Sequence, residues 1–95
     1  MLAEAKFVRQ VGEVRERFNL SEEEVRFILE IGSMLLSNHP DRGVRGAAPA
    51  AIAVALSMIR NVTIKDIAET LHVTEAAVER NIRKIMKYNL IKVYC

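Results

Sequence analysis

The chain has no tryptophan, one cysteine, two prolines and four glycines among its 95 residues. So little punctuation argues against a turn-rich β fold and for long helical stretches. A lone thiol, Cys95, excludes an internal disulfide, and no cysteine or histidine set has the spacing of a zinc site. A reducing, intracellular setting is the default, with Cys95 a bystander. His39 and His72 lack neighbouring cysteines or a carboxylate cluster, and they read as a surface loop histidine and a turn histidine. No metal or cofactor is expected.

Long hydrophobic runs are also missing. The longest apolar tract, AAPAAIAVALSMI at residues 47 to 59, falls short of the roughly 20 residues that span a membrane. The opening MLAEAKFVRQ carries acid and no continuous apolar run, unlike a signal peptide. Paired acids in an apolar setting are absent, as is any Ser/His/Asp or Cys/His set. GVRG at 43 to 46 has two glycines and no Lys-Ser/Thr sequel, so it is not a phosphate-cradling loop. Neither an enzyme nor a small-molecule substrate is expected.

What is present suits one soluble domain with a single core, since 51% of residues are apolar and 27% charged. The net charge of +2 hides an asymmetry: five basic and seven acidic residues through His39, then nine and five from Pro40 onward. An anionic partner for the C-terminal half is consistent with that split.

Apolar periodicity predicts five helices. Phe7, Val8, Val11, Val14 and Phe18 share one face over residues 3 to 18, and Asn19-Leu20 breaks the pattern. Ser21 and Glu24 have capping-box spacing at the start of a second helix, whose stripes are Val25, Ile28, Leu29, Leu35 and Leu36, and Phe27, Ile31 and Met34. SNHPDRGVRG reads as a loop. Pro49 suits the first turn of a third helix running to Ile59, apolar nearly all round and hence the buried centre of the domain. Thr63, with Asp66 in the reciprocal position, caps a short fourth helix over Ile64 to Leu71. His72-Val73 turns the chain, Thr74 caps a fifth helix to about Tyr88, and Asn89 is its expected stop. LIKVYC is left as a short strand or an extended tail.

TIKDIAETLHVTEAAVERNIRKI, residues 63 to 85, therefore has the form of a helix-turn-helix that extends to residue 88, with His72 where a glycine is usual. On a wheel of about 100° per residue, Val78, Ile82, Ile85 and Asn89 face inward. Ala76, Arg80, Arg83, Lys84 and Lys87 face outward, and Glu75 and Glu79 lie on a flank. Ala76 is small enough to approach a thymine methyl group. Thr74 and the free N–H groups at the helix start suit a phosphate. Glu79 stands one turn before Arg83, an i,i+4 pair that explains the acid without any partner. The cations also suit the negative end of a helix dipole, so the pattern alone leaves a plain charged surface open beside a DNA-binding one.

RGAAPAAIAVALSMI through TIKDIAETLHVTEAAVERNIRKI resembles a cyclin-like repeat of transcription initiation factor IIB. The matching residues are Gly46, Pro49, Ala51, Ala53, Ala55, Ile67, Ala68, Glu69, Val73, Thr74, Glu75, Val78 and Ile85, and FNLSEEEV is similar to that family's link between its first two helices. The resemblance implies an all-α fold, a five-helix cyclin-like orthogonal bundle with a C-terminal helix-turn-helix. It also implies double-stranded DNA as partner, with the fifth helix in the major groove, and contacts to the TATA-binding protein or another transcription component. Location would follow: cytoplasmic on the nucleoid, or nuclear in a eukaryote. There is one repeat and no zinc ribbon. Ala47 replaces the family's arginine, with Arg45 nearby, and Glu79 occupies a position often basic in the DNA-reading repeat. An acid there repels phosphates or selects cytosine N4.

Two other readings compete. A docking module of cyclin-like fold would present an apolar groove using Phe27, Met34 or Met58. A winged helix would turn Leu90 to Tyr94 into a wing strand.

Overall fold

Ser21 does what its spacing from Glu24 predicts. Its Oγ accepts the Glu24 N–H at 3.2 Å, and Glu24 Oε1 accepts the Ser21 N–H at 2.9 Å. The computed structural model describes the backbone from Leu2 to Tyr94 and side chains from Glu4 to Lys87. Over that span the chain forms α1 (Leu2–Phe18), α2 (Glu22–Ser37), α3 (Ala47–Ser57), α4 (Ile64–Leu71) and α5 (Glu75–Tyr94), with no strand among the described residues. None of these helices is long and apolar enough to cross a membrane.

Composition explains the architecture. α3 is a thin, alanine-rich rod whose residues from Ala47 to Ala53 are all buried, and it touches each of the other four helices. Small side chains let neighbours approach closely, so the large residues that fill the core come mostly from around the rod: Phe7, Val11 and Val14 of α1, Ile28 and Leu35 of α2, Ile67 of α4, Val78 and Ile85 of α5. Val8, expected on the buried face of α1, is 56% exposed, and Gln10 takes the inward place instead at 4%.

Helix boundaries show where local signals were overruled. α3 starts at Ala47 with Gly46 as its N-cap, so Pro49 is the third residue of the helix. Proline is still tolerated there, because the first intrahelical bond runs from the Ala50 N–H to the Gly46 carbonyl. The same helix ends at Ser57, leaving Met58 and Ile59 exposed. Asn89 does not stop α5, which continues to Tyr94. Asparagine costs a helix only a few tenths of a kcal/mol, and no glycine or proline follows to end it. The wing strand of the winged-helix reading is thereby replaced by helix. Cys95 lies outside the described residues.

Arg60, just past α3, ties three elements together. Its Nε and Nη2 donate to the two Glu24 oxygens at 2.7 and 2.9 Å, and Nη1 donates to the Phe18 carbonyl at 3.2 Å. The Glu24 carboxylate thus serves its own helix cap and a bidentate bridge 36 residues away. The Arg60 hydrogen bonds foremost, and then the Ser21 amide, hold its pKa down from the ordinary 4.5 to about 2. Asp66 is lowered in the same sense by its cap to Thr63. A carboxyl depressed on folding adds stability above its ordinary pKa and loses it as pH falls through the folded value. Thermal stability should therefore decline as pH falls from about 4.5 towards about 2. Glu24→Gln should lower Tm at neutral pH and flatten part of that decline, leaving the share carried by Asp66. An unchanged decline in the variant would remove Glu24 as its source.

Candidate nucleic-acid interface

The turn between α4 and α5 is built from both sides. Thr63 Oγ1 accepts the Asp66 N–H at 3.1 Å and Asp66 returns the bond to the Thr63 N–H, while Ile67, Ala68 and Leu71 are buried. His72 closes α4 in the left-handed conformation, φ 57°, and the Val73 N–H bonds back to the Ala68 carbonyl at 3.0 Å. Histidine stands in for glycine here at modest cost. Thr74 Oγ1 then accepts the Ala77 N–H at 3.1 Å, the expected cap. With the Val78 N–H on the Thr74 carbonyl, the amides of Glu75 and Ala76 precede the first helical bond.

All six side chains expected at the interface are exposed, Thr74 at the cap of α5 and Ala76, Arg80, Arg83, Lys84 and Lys87 on the helix itself. Val78 and Ile85 behind them are fully buried, and Ile82 is half-buried. The Glu79–Arg83 pair is not formed; the ion pairs among the described residues are Arg9–Glu13, Arg42–Glu4 and Arg60–Glu24. An exposed i,i+4 pair gains a few tenths of a kcal/mol, too little to hold two long side chains in one geometry. Arg83 is left facing solvent.

α5 also separates two grooves. On one side, Ile82 and Met86 line an apolar groove of about 330 Å³ with Val54, Val62, Ile64 and Ile67. On the other, Arg80 and Lys84 line a groove of about 360 Å³ with Arg45, Gly46, Ala77 and Asn81. By its place on the wheel Glu79 belongs to the first side, near Met86. The glutamates of the α5 flank therefore sit apart from the basic groove.

The loop wall of the basic groove is anchored by His39, which its sequence context suggested was a surface loop histidine. His39 is buried, 6% exposed, and not on the surface. Its Nδ1 accepts the Asp41 N–H at 2.8 Å, which leaves Nε2 to donate to Asn81 Oδ1 at 2.7 Å. Asn81 Nδ2 donates in turn to the Ala77 carbonyl at 2.7 Å. One signal could have exposed this: Asn81 is about 60° from Val78 on the wheel, a polar residue at a core-facing position. Its partner, 42 residues away, had no signal at all. Gly46 lets the loop reach α5, because a Cβ on it would lie 2.5 Å from Asn81 Nδ2 and 2.8 Å from the Ala77 carbonyl oxygen.

No family model, curated protein or solved structure matches the chain. The likeness to transcription initiation factor IIB rests on the residues quoted above.

Gly46→Ala should destabilise the protein by about 1–3 kcal/mol through overpacking. Gly12→Ala, at an exposed helical site with nothing within 4 Å of the added Cβ, should stabilise by roughly 0.5–1 kcal/mol. Urea unfolding of both variants checks the two signs, and equal effects would remove the close approach of the loop as the reason for Gly46.

Proposed function

We propose that the protein is a cyclin-like repeat related to transcription initiation factor IIB that binds double-stranded DNA, with α5 in the major groove. The observation that carries this reading is the opposition of faces on α5. Val78 and Ile85 are wholly buried, while Ala76, Arg80, Arg83, Lys84 and Lys87 are exposed behind a tight turn from α4. A helix fixed by its apolar side and free on its basic side is the footprint of a DNA-contacting element.

Roles follow from chemistry. Arg80, Arg83, Lys84 and Lys87 reach phosphates or base edges. Ala76 permits close approach to the groove floor. The Thr74 oxygen is used by its cap, so its O–H donates to a phosphate beside the Glu75 and Ala76 amides. Contacts to the TATA-binding protein or another transcription component belong to the same proposal.

A docking role has one observation in its favour, the apolar groove between α3, α4 and α5. Its walls differ from the residues first expected. Met34 and Met58 are exposed outside it, and Phe27 packs against the core.

Fluorescence anisotropy with a labelled duplex at several salt concentrations tests the DNA reading. Each lost phosphate contact removes about 0.9 from the salt slope. Arg80→Gln/Lys84→Gln should therefore flatten the slope by about 1.8 and weaken binding roughly 60-fold at about 0.1 M salt. Absence of wild-type binding at about 50 mM salt would end the DNA reading and favour docking.

A further inference from the structure

Arg45 lines two grooves at once. One is the basic groove it shares with Arg80 and Lys84. The other, about 400 Å³, lies between α1 and the α4–α5 turn, where Arg45 meets Lys6, Arg9, Gln10, Glu13 and His72. We infer that Arg45 joins these grooves into a single track for one phosphodiester strand of duplex DNA. The track runs from Arg80 and Lys84 of α5 to Lys6 and Arg9 of α1. The inference rests on the reading of α5 as the DNA-contacting helix and extends it to a part of the chain that the sequence marks as acidic.

Charge supports the track. Five cations from three separate segments converge on it, and its one acid, Glu13, is engaged by Arg9 at 3.9 Å. Among the described residues, Lys6, Arg45, Arg80 and Lys84 take part in no ion pair. One strand of a duplex carries a phosphate for every 3.4 Å or so of helix axis, so a strand crossing Arg45 presents successive phosphates to both grooves.

Preorganisation supports it as well. The buried His39–Asn81 bond and the contact of Gly46 with Ala77 fix the loop that carries Arg45 against α5. Little loop entropy is then lost on binding.

The test is anisotropy of the whole chain with a labelled duplex of arbitrary sequence and with one of its single strands. At about 0.1 M salt, one lost phosphate contact should weaken binding roughly eightfold. Arg45→Gln should show that loss, and Lys6→Gln/Arg9→Gln should show it or more, each with a flatter salt slope. Glu13→Gln should bind more tightly than wild type, a gain that misfolding does not produce. Arg26→Gln, on α2 outside both grooves, should match wild type. Wild-type affinity in Arg45→Gln and Lys6→Gln/Arg9→Gln, with loss confined to Arg80→Gln/Lys84→Gln, would overturn the track and leave the α5 reading standing. Failure of the wild type to bind the duplex would overturn both. Tighter binding to the single strand would overturn the duplex as partner.

Discussion

Close approach to a rod of alanines is the constraint on which the other contacts depend. α3 is mostly alanine, with Ile52 and Leu56 as its large buried side chains, so the other four helices, all of which touch it, supply most of the remaining core volume. Widening that rod by even one methyl group would be felt on several sides at once, since protein interiors have no slack at this scale. The two ends of α3 differ: Gly46, Ala47 and Ala48 at its start are buried, while Ser57, Met58 and Ile59 at its end are exposed.

Those two ends are secured by different chemistry. At the C-terminal end, Arg60 reaches back to the junction of α1 and α2 through a partly exposed, charge-assisted bridge. At the N-terminal end the loop from α2 is held by neutral groups, His39 and Asn81, buried and mutually satisfied. A buried neutral pair needs no counter-charge, whereas a charged bridge there would have to overcome desolvation. The result is a loop tied to α5 by these contacts, and Arg45 is carried on it.

The two flanks of α5 differ for the same reason. The flank toward α4 meets apolar residues and opens as the apolar groove, with Glu79 nearby on the wheel. The flank toward the loop meets backbone and Asn81, and there Arg80 and Lys84 stand beside Arg45. Charge along the chain alone does not show this, because the cations that gather around Arg45 are drawn from both the acidic and the basic halves.

Local order was legible in the residues themselves. The caps at Ser21, Thr63 and Thr74, the left-handed His72 and the burial of the alanine-rich third helix, though not its exact ends, all follow from neighbours within about one turn, the range over which capping and periodicity act. The outward face of α5 was legible for the same reason. What the tertiary structure alone decided was which polar groups are buried and which cations meet. His39 with Asn81, Glu24 with Arg60 and Arg45 with its two grooves join residues far apart in sequence. No spacing rule reaches that far, since such pairs exist only once the packing of five helices around α3 has set the distance between them.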